Sequence, residues 1–253
     1  MFKCLFLAAG YATRLYPLTE NFPKPLLEVK GKAILDWLIE DIDNFYLTDN
    51  NSLKTDIEYI VVSNHKFAPH FKKWSETRKN IKVVDDGTCS NETRLGAVKD
   101  IWYAVEKLNI KDDLLVVAGD NLLDFSLNTF IKYAIEKKTS CVMRYFEENN
   151  EKLKKCGVIT TDENGLITNM TEKPQNPESN WVVPPFYFFT VEDVMKISHA
   201  IENGCEVDAP GSYITWLCKN SSVHAMEMPG KRYDIGNLES YNNINSNFGK
   251  IVI

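Results

Sequence analysis

Leu7-Ala8-Ala9-Gly10-Tyr11-Ala12-Thr13-Arg14-Leu15-Tyr16-Pro17-Leu18-Thr19, followed by Asn21-Phe22-Pro23-Lys24-Pro25-Leu26-Leu27, is the most informative stretch of this sequence. The apolar run before it reads as a buried strand ending in small residues, so the backbone at Gly10 can approach a ligand closely. N–H groups exposed at such a turn form a concavity for anions. Arg14 and Lys24 then bring positive charge to the same end of the sheet. Arginine offers phosphate oxygens a rigid fork of donors, and lysine offers a mobile point charge. Two other phosphate-binding patterns are missing: there is no G-x-x-x-x-G-K-[ST], and no G-x-G-x-x-G follows the first strand.

Outward from this loop, short apolar or β-branched runs at 3–8, 58–63, 82–85 and 114–118 alternate with helical periodicity at 34–45, 69–79, 95–108 and 128–136. That alternation predicts the α/β class: a Rossmann-like mixed, mostly parallel sheet with helices on both faces. After about residue 138 strands predominate, at 140–145, 157–161, 166–172 and 182–189. They are expected to extend the sheet with antiparallel strands over a pocket. Helices at 191–203, 212–219 and 238–247 and a strand at 223–228 complete the reading, and 48–55 is taken as a polar loop insertion. One domain over 1–253 is expected, in two halves of about 1–138 and about 139–253.

A net charge of −6 argues against the broad basic surface that binding to nucleic acid requires, and leaves room for a local basic pocket. No segment is long and apolar enough for a membrane span. The opening apolar run lacks a basic leader and passes directly into charged residues, so it is read as a strand and not as a signal peptide. Cysteines 4, 89, 141, 156, 205 and 218 form no C-x-x-C pair, which points to reduced thiols and a cytoplasmic location. His65, His70, His199 and His224 suggest no triad and are read as structural.

Two aspartates are candidate ligands for Mg²⁺, a hard cation that takes one or two protein carboxylates and completes its shell with phosphate and water. Asp120 closes the apolar strand of Leu114-Leu115-Val116-Val117-Ala118-Gly119-Asp120-Asn121, and Asp234 stands in Arg232-Tyr233-Asp234-Ile235-Gly236. Either could instead be a helix N-cap, a position where aspartate is favoured. A third group combines Cys156-Gly157-Val158-Ile159, Met170-Thr171-Glu172-Lys173-Pro174 and Val183-Pro184-Pro185-Phe186-Tyr187. In a regular strand Glu172 and Lys173 point to opposite sides, so their use in one pocket requires a bulge or bend near Pro174.

The opening segment resembles the signature L-A-x-G-x-G-T-R-L-x-P-L-T…P-K-P-L of the sugar-phosphate nucleotidyltransferases, which include glucose-1-phosphate thymidylyl- and uridylyltransferases. Gly119-Asp120-Asn121, Gly157-Val158-Ile159, Glu172-Lys173-Pro174 and Asp234-Ile235-Gly236 resemble further motifs of that family in the same order. The resemblance implies the nucleotide-diphospho-sugar transferase type of fold and a nucleotide site at Leu7, Ala9, Gly10, Thr13, Arg14, Lys24, Gly96 and Asp120. It also implies Mg²⁺ on Asp120 and Asp234, and an acceptor site at Gly157, Glu172 and Lys173. The expected catalytic set is Arg14, Lys24, Asp120, Lys173 and Asp234. Two departures stand out: Ala12 replaces a usual glycine, and Thr93 stands where a glycine normally leads the base-reading helix.

The expected activity is transfer of a nucleoside monophosphate from UTP, dTTP or CTP to a sugar 1-phosphate, with release of pyrophosphate. A rival uses CTP with phosphocholine or a phosphonate such as 2-aminoethylphosphonate. A third reading is a regulatory module that binds nucleotide without turnover. The partners expected are an NTP and a small phosphorylated acceptor, with a homo-oligomer compatible.

Overall fold

The computed structural model describes residues 2–45 and 56–248; the stretch read as a polar insertion at 48–55 lies outside them. The strands are β1 (Phe2–Leu7), β2 (Glu28–Val29), β3 (Lys32–Ala33), β4 (Tyr59–Ser63), β5 (Ile81–Asp85), β6 (Asp113–Ala118) and β7 (Asn121–Leu123). They continue with β8 (Ser140–Phe146), β9 (Gly157–Thr161), β10 (Ile167–Glu172), β11 (Trp181–Val183), β12 (Phe186–Phe189), β13 (Val223–Glu227) and β14 (Arg232–Asp234). The α-helices are α1 (Ile34–Asp43), α2 (Ala68–Ser75), α3 (Ala97–Leu108), α4 (Asn128–Lys137), α5 (Asn150–Leu153), α6 (Val191–Val194), α7 (Ile197–Glu202), α8 (Gly211–Leu217) and α9 (Leu238–Asn247).

These elements form two compact units. The first comprises Met1–Leu5, Leu95–Val117 and Phe130–Met228; the second comprises Phe6–Arg94, Ala118–Thr129 and Pro229–Ile253. In the first, the strands run in the order β10-β9-β11-β8-β12-β6, and β13 lies parallel beside β8. The pairs within that order are antiparallel, as expected for the part after residue 138. In the second unit β4 and β5 run parallel, and β4 is buried at every residue, which suits its uncharged sequence. The α/β class read from the sequence is the class observed.

Local chemistry explains the boundaries. Helix α1 buries Ile34, Leu35, Leu38 and Ile42 along one stripe. Asp36 in its first turn suits the helix dipole and receives a two-pronged bond from Arg78, Nε and Nη2 each at 2.7 Å. Helix α9 begins at a capping box in which Asn237 and Ser240 satisfy each other's backbone N–H. The single strand expected at 182–189 is two strands, β11 and β12, because Pro184 and Pro185 interrupt the ladder. The helix expected at 191–203 is likewise two, α6 and α7.

Ala12 sits in the left-handed region at φ 46° and ψ 41°, where an L-residue with a Cβ is strained and glycine is not. The glycine that the resemblance leads one to expect at this position therefore has a backbone reason. Ala12→Gly is expected to stabilise the protein by about 0.5–1 kcal/mol, less than the full strain because glycine also loosens the unfolded chain. Chemical denaturation checks this, and a variant less stable than the parent contradicts it.

Candidate active site

The loop expected to meet a triphosphate is held by its own backbone and by buried polar side chains in the second unit. Leu7 O accepts from Gly119 N at 3.0 Å, and Ala8 N donates to Val62 O at 2.9 Å. Ala9 O accepts from the amide of buried Asn64 at 2.8 Å. Thr13–Leu15 form one 3₁₀ turn, and the fully buried Thr19 donates its hydroxyl to Ala12 O at 2.8 Å, closing the loop on itself. A Cβ added to Gly10 would meet nothing within 4 Å among the described residues, so packing inside the chain does not account for a glycine there. Arg14 is exposed.

Lys24 lies on a 3₁₀ turn between Pro23 and Pro25 and is 7% exposed. An ammonium this deep is costly without counter-charge. Two carboxylates supply it: Lys24 Nζ donates to Asp120 Oδ2 at 2.7 Å and to Asp234 Oδ1 at 3.3 Å. The residues come from distant parts of the chain and are delivered by a small antiparallel pair, β7 with β14, in which Asp234 stands opposite Asn121. Beneath that pair Leu122 and Ile235 pack with Leu15, Leu27, Ile34 and Phe248 into one buried cluster. Neither aspartate caps a helix: Asp120 leads into β7, and α9 is capped by Asn237. Among the described residues no group of three or more His, Cys, Asp or Glu converges.

In the first unit, Glu172 stands opposite Gly157 in the β9–β10 ladder. Its carboxylate fills a notch between two glycines: a Cβ on Gly157 would come 2.8 Å from Glu172 Oε2, and one on Gly211 would come 2.2 Å from it. Burial pushes the Glu172 carboxyl above its usual range; Lys173 opposes that shift and Glu206 adds to it. Lys173 takes a left-handed φ of 47° immediately after β10, so the chain bends there. Gly211→Ala forces a flexible carboxylate aside and leaves the backbone alone, and alanine favours the first turn of α8. The expected change in stability is therefore within about 1 kcal/mol; thermal melting checks this, and a loss of several kcal/mol contradicts it.

Gly96 is the N-cap of α3 in the first unit, with φ 93° and ψ 150°. Around the segment expected to read the base, Thr93 ends a 3₁₀ turn, donates to Ser90 O at 3.2 Å and lies 3.3 Å from the Ser90 hydroxyl. Arg94 Nη1 folds back onto Asn91 O at 2.8 Å. Tyr11 reaches the same stretch, donating to Thr88 O at 3.2 Å.

The sequence profile of the nucleotidyl transferase family, NTP_transferase, matches residues 3–250. The chain belongs to the nucleotidyl transferase family. Over 237 residues it is 32% identical to the bifunctional protein GlmU of Methanococcus aeolicus, covering 92% of this chain and 51% of that one. Over 236 residues it is 27% identical to UTP--glucose-1-phosphate uridylyltransferase AglF of Haloferax volcanii, covering 92% and 91%. The chain thus spans about half the length of several curated relatives it matches. Its fold is similar to that of UDP-glucose pyrophosphorylase crystallised with UDP-glucose, with a TM-score of 0.79 at 22% identity over 99% of both chains. The expected class, a nucleotidyltransferase, is the class to which the family belongs, and among the described residues no helix is long and apolar enough to cross a membrane.

Sequence reasoning did not single out Thr19, Asn121, Arg232 or Gly211 for the work they do here. Asn121 and Arg232 lie within quoted motifs, yet only the β7–β14 pairing brings them together, and that pairing joins residues more than a hundred positions apart.

Proposed function

We propose that the chain transfers a nucleoside monophosphate from a nucleoside triphosphate to a sugar 1-phosphate, releasing pyrophosphate with the help of Mg²⁺. The observation that carries this reading is the meeting of Asp120 and Asp234 on one buried ammonium, Lys24, in a chain whose family match runs over residues 3–250. In the reaction an oxygen of the acceptor phosphate forms a bond to the α-phosphorus, and the bond from that phosphorus to the bridging oxygen of pyrophosphate breaks. Two anions must approach each other, so the protein's contribution is charge and position.

The loop at Gly10, open at its Cβ position, gives a phosphate access to backbone N–H groups. Exposed Arg14 adds a fork of donors, and Lys24 can move from the aspartates onto a phosphoryl oxygen as the triphosphate arrives. The oxygen donors fit a hard cation: two carboxylates converging on one positive group are what Mg²⁺ accepts from a protein, the rest of its shell being phosphate and water. When bound there, Mg²⁺ offsets the negative charge that grows on the phosphate oxygens. Gly157 and Glu172 are assigned to acceptor hydroxyls, and Lys173 to its phosphate.

A pyrophosphate-release screen crossing four NTPs with hexose 1-phosphates, phosphocholine and 2-aminoethylphosphonate tests this. Release that requires one NTP and a sugar 1-phosphate supports it. Release only with CTP and phosphocholine or the phosphonate moves the assignment to that acceptor, and no release from any pair favours a nucleotide-binding module. Lys173→Ala is expected to raise acceptor KM by about 10- to 100-fold, the size of a lost charge-assisted hydrogen bond, with triphosphate affinity nearly unchanged. A loss confined to triphosphate binding contradicts the role given to Lys173.

A further inference from the structure

We infer that Arg232 is a positioning residue, which sets the orientation of Asp120 through Asn121. The inference rests on the reading of Asp120 and Asp234 as the metal pair. Arg232 Nη1 donates to Asn121 Oδ1 at 2.8 Å. That bond fixes which end of the Asn121 amide is oxygen, so its Nδ2 must point the other way. There it donates to Asp120 Oδ1 at 2.8 Å and to Ala118 O at 3.2 Å. Asn121 is 1% exposed, and a buried amide with its partners satisfied on both ends has one orientation. Asp120 Oδ1 is thereby held by Asn121, while Oδ2 faces Lys24 at 2.7 Å. Arg232 and Asp234 lie two apart on β14, so they share a face of that strand, and β14 pairs with the strand that starts at Asn121. The arginine therefore reads the position of one aspartate and stands on the strand that carries the other. Without it the Asn121 carbonyl has no cationic anchor, and the amide's aim at Asp120 Oδ1 rests on its two Nδ2 bonds alone.

The test measures Mn²⁺ affinity by electron paramagnetic resonance with the accepted triphosphate present and acceptor absent, beside kcat and KM. Arg232→Met is expected to weaken Mn²⁺ binding and lower kcat by about tenfold or more, the usual scale for residues that orient metal ligands. Acceptor KM should stay within about twofold of the parent's on the same reasoning. Arg232→Lys, which keeps a donor to Asn121, should recover most of both losses. In Asn121→Ala the further change to Arg232→Met should add little, since the arginine acts through the amide. Full additivity of the two losses, or a rise in acceptor KM as the main effect, overturns the inference and makes Arg232 a substrate contact. Melting curves of both single variants identify any loss due to unfolding, in which case the Arg232→Lys comparison decides. If Asp120→Asn itself leaves Mn²⁺ affinity unchanged, the metal-pair reading fails; if Asp120→Asn abolishes binding and Arg232→Met does not, only the role of Arg232 fails.

Discussion

Asp120→Asn is expected to lower turnover by about 10²- to 10³-fold, the scale seen when one charge-stabilising group is removed from an active site. The amide matches the carboxylate in shape, and its oxygen can still accept the bond that Asn121 now gives Asp120 Oδ1 at 2.8 Å. What is lost is negative charge beside Lys24 and one hard ligand for a cation. The effect on folding should be small by comparison, about 1–2 kcal/mol, because the Asp120 side chain is 36% exposed and water screens much of its attraction to Lys24. Asp234→Asn is expected to behave in the same way, with a smaller stability effect, since its side chain is 51% exposed and its contact with Lys24 is longer at 3.3 Å. Steady-state kinetics with thermal melting on the same preparations separates the two effects. Parent-like turnover in either variant removes that aspartate from the metal pair.

Gly96→Ala should be the most damaging single methyl group in the first unit. A Cβ there would stand 2.5 Å from Val207 O and 2.8 Å from Val207 C, and both are backbone atoms with no flexible end to swing away. The same segment accepts the first bonds of α3, Ala97 N to Asp208 O at 3.2 Å and Val98 N to Val207 O at 3.0 Å. Relief of the clash therefore loosens both bonds, and alanine must also adopt a φ of 93° that suits glycine. Adding strain to weakened hydrogen bonds gives a destabilisation of about 3–5 kcal/mol, or a melting shift on the order of 10 °C. Gly211→Ala creates a shorter contact, yet against the tip of Glu172, and should be mild in stability. A Gly96→Ala variant that melts within about 2 °C of the parent would show that the Val207 backbone yields easily.

The periodic parts of the chain were legible because burial imposes a pattern on them. Tyr59–Ser63 is apolar without interruption until Ser63 and is buried throughout; α9 runs over the span its sequence predicts. The strands that build the charge centre were not legible. Asn121–Leu123 and Arg232–Asp234 are three residues each, too short for a period, and they become strands only by pairing with one another. The hairpin of Glu28–Val29 with Lys32–Ala33 escaped for the same reason, although Lys30 and Gly31 at φ 55° and 77° are its turn. Lys24, Asp120 and Asp234 were legible as candidates from residue type and motif, and their convergence required the fold. The notch for Glu172 had half a signal, Gly157 in the strand motif; Gly211 carries none, since its meaning is the carboxylate it makes room for.

In the proposed function Lys24, Asp120 and Asp234 are one charge centre that works on the triphosphate. Its most direct test is anomalous diffraction from crystals soaked with Mn²⁺ and the accepted triphosphate. The predicted result is a metal peak within coordination distance of carboxylate oxygens of both Asp120 and Asp234, with Lys24 Nζ moved onto a phosphate oxygen. A metal peak and triphosphate density elsewhere, with Lys24 still bridging the two aspartates, would contradict it.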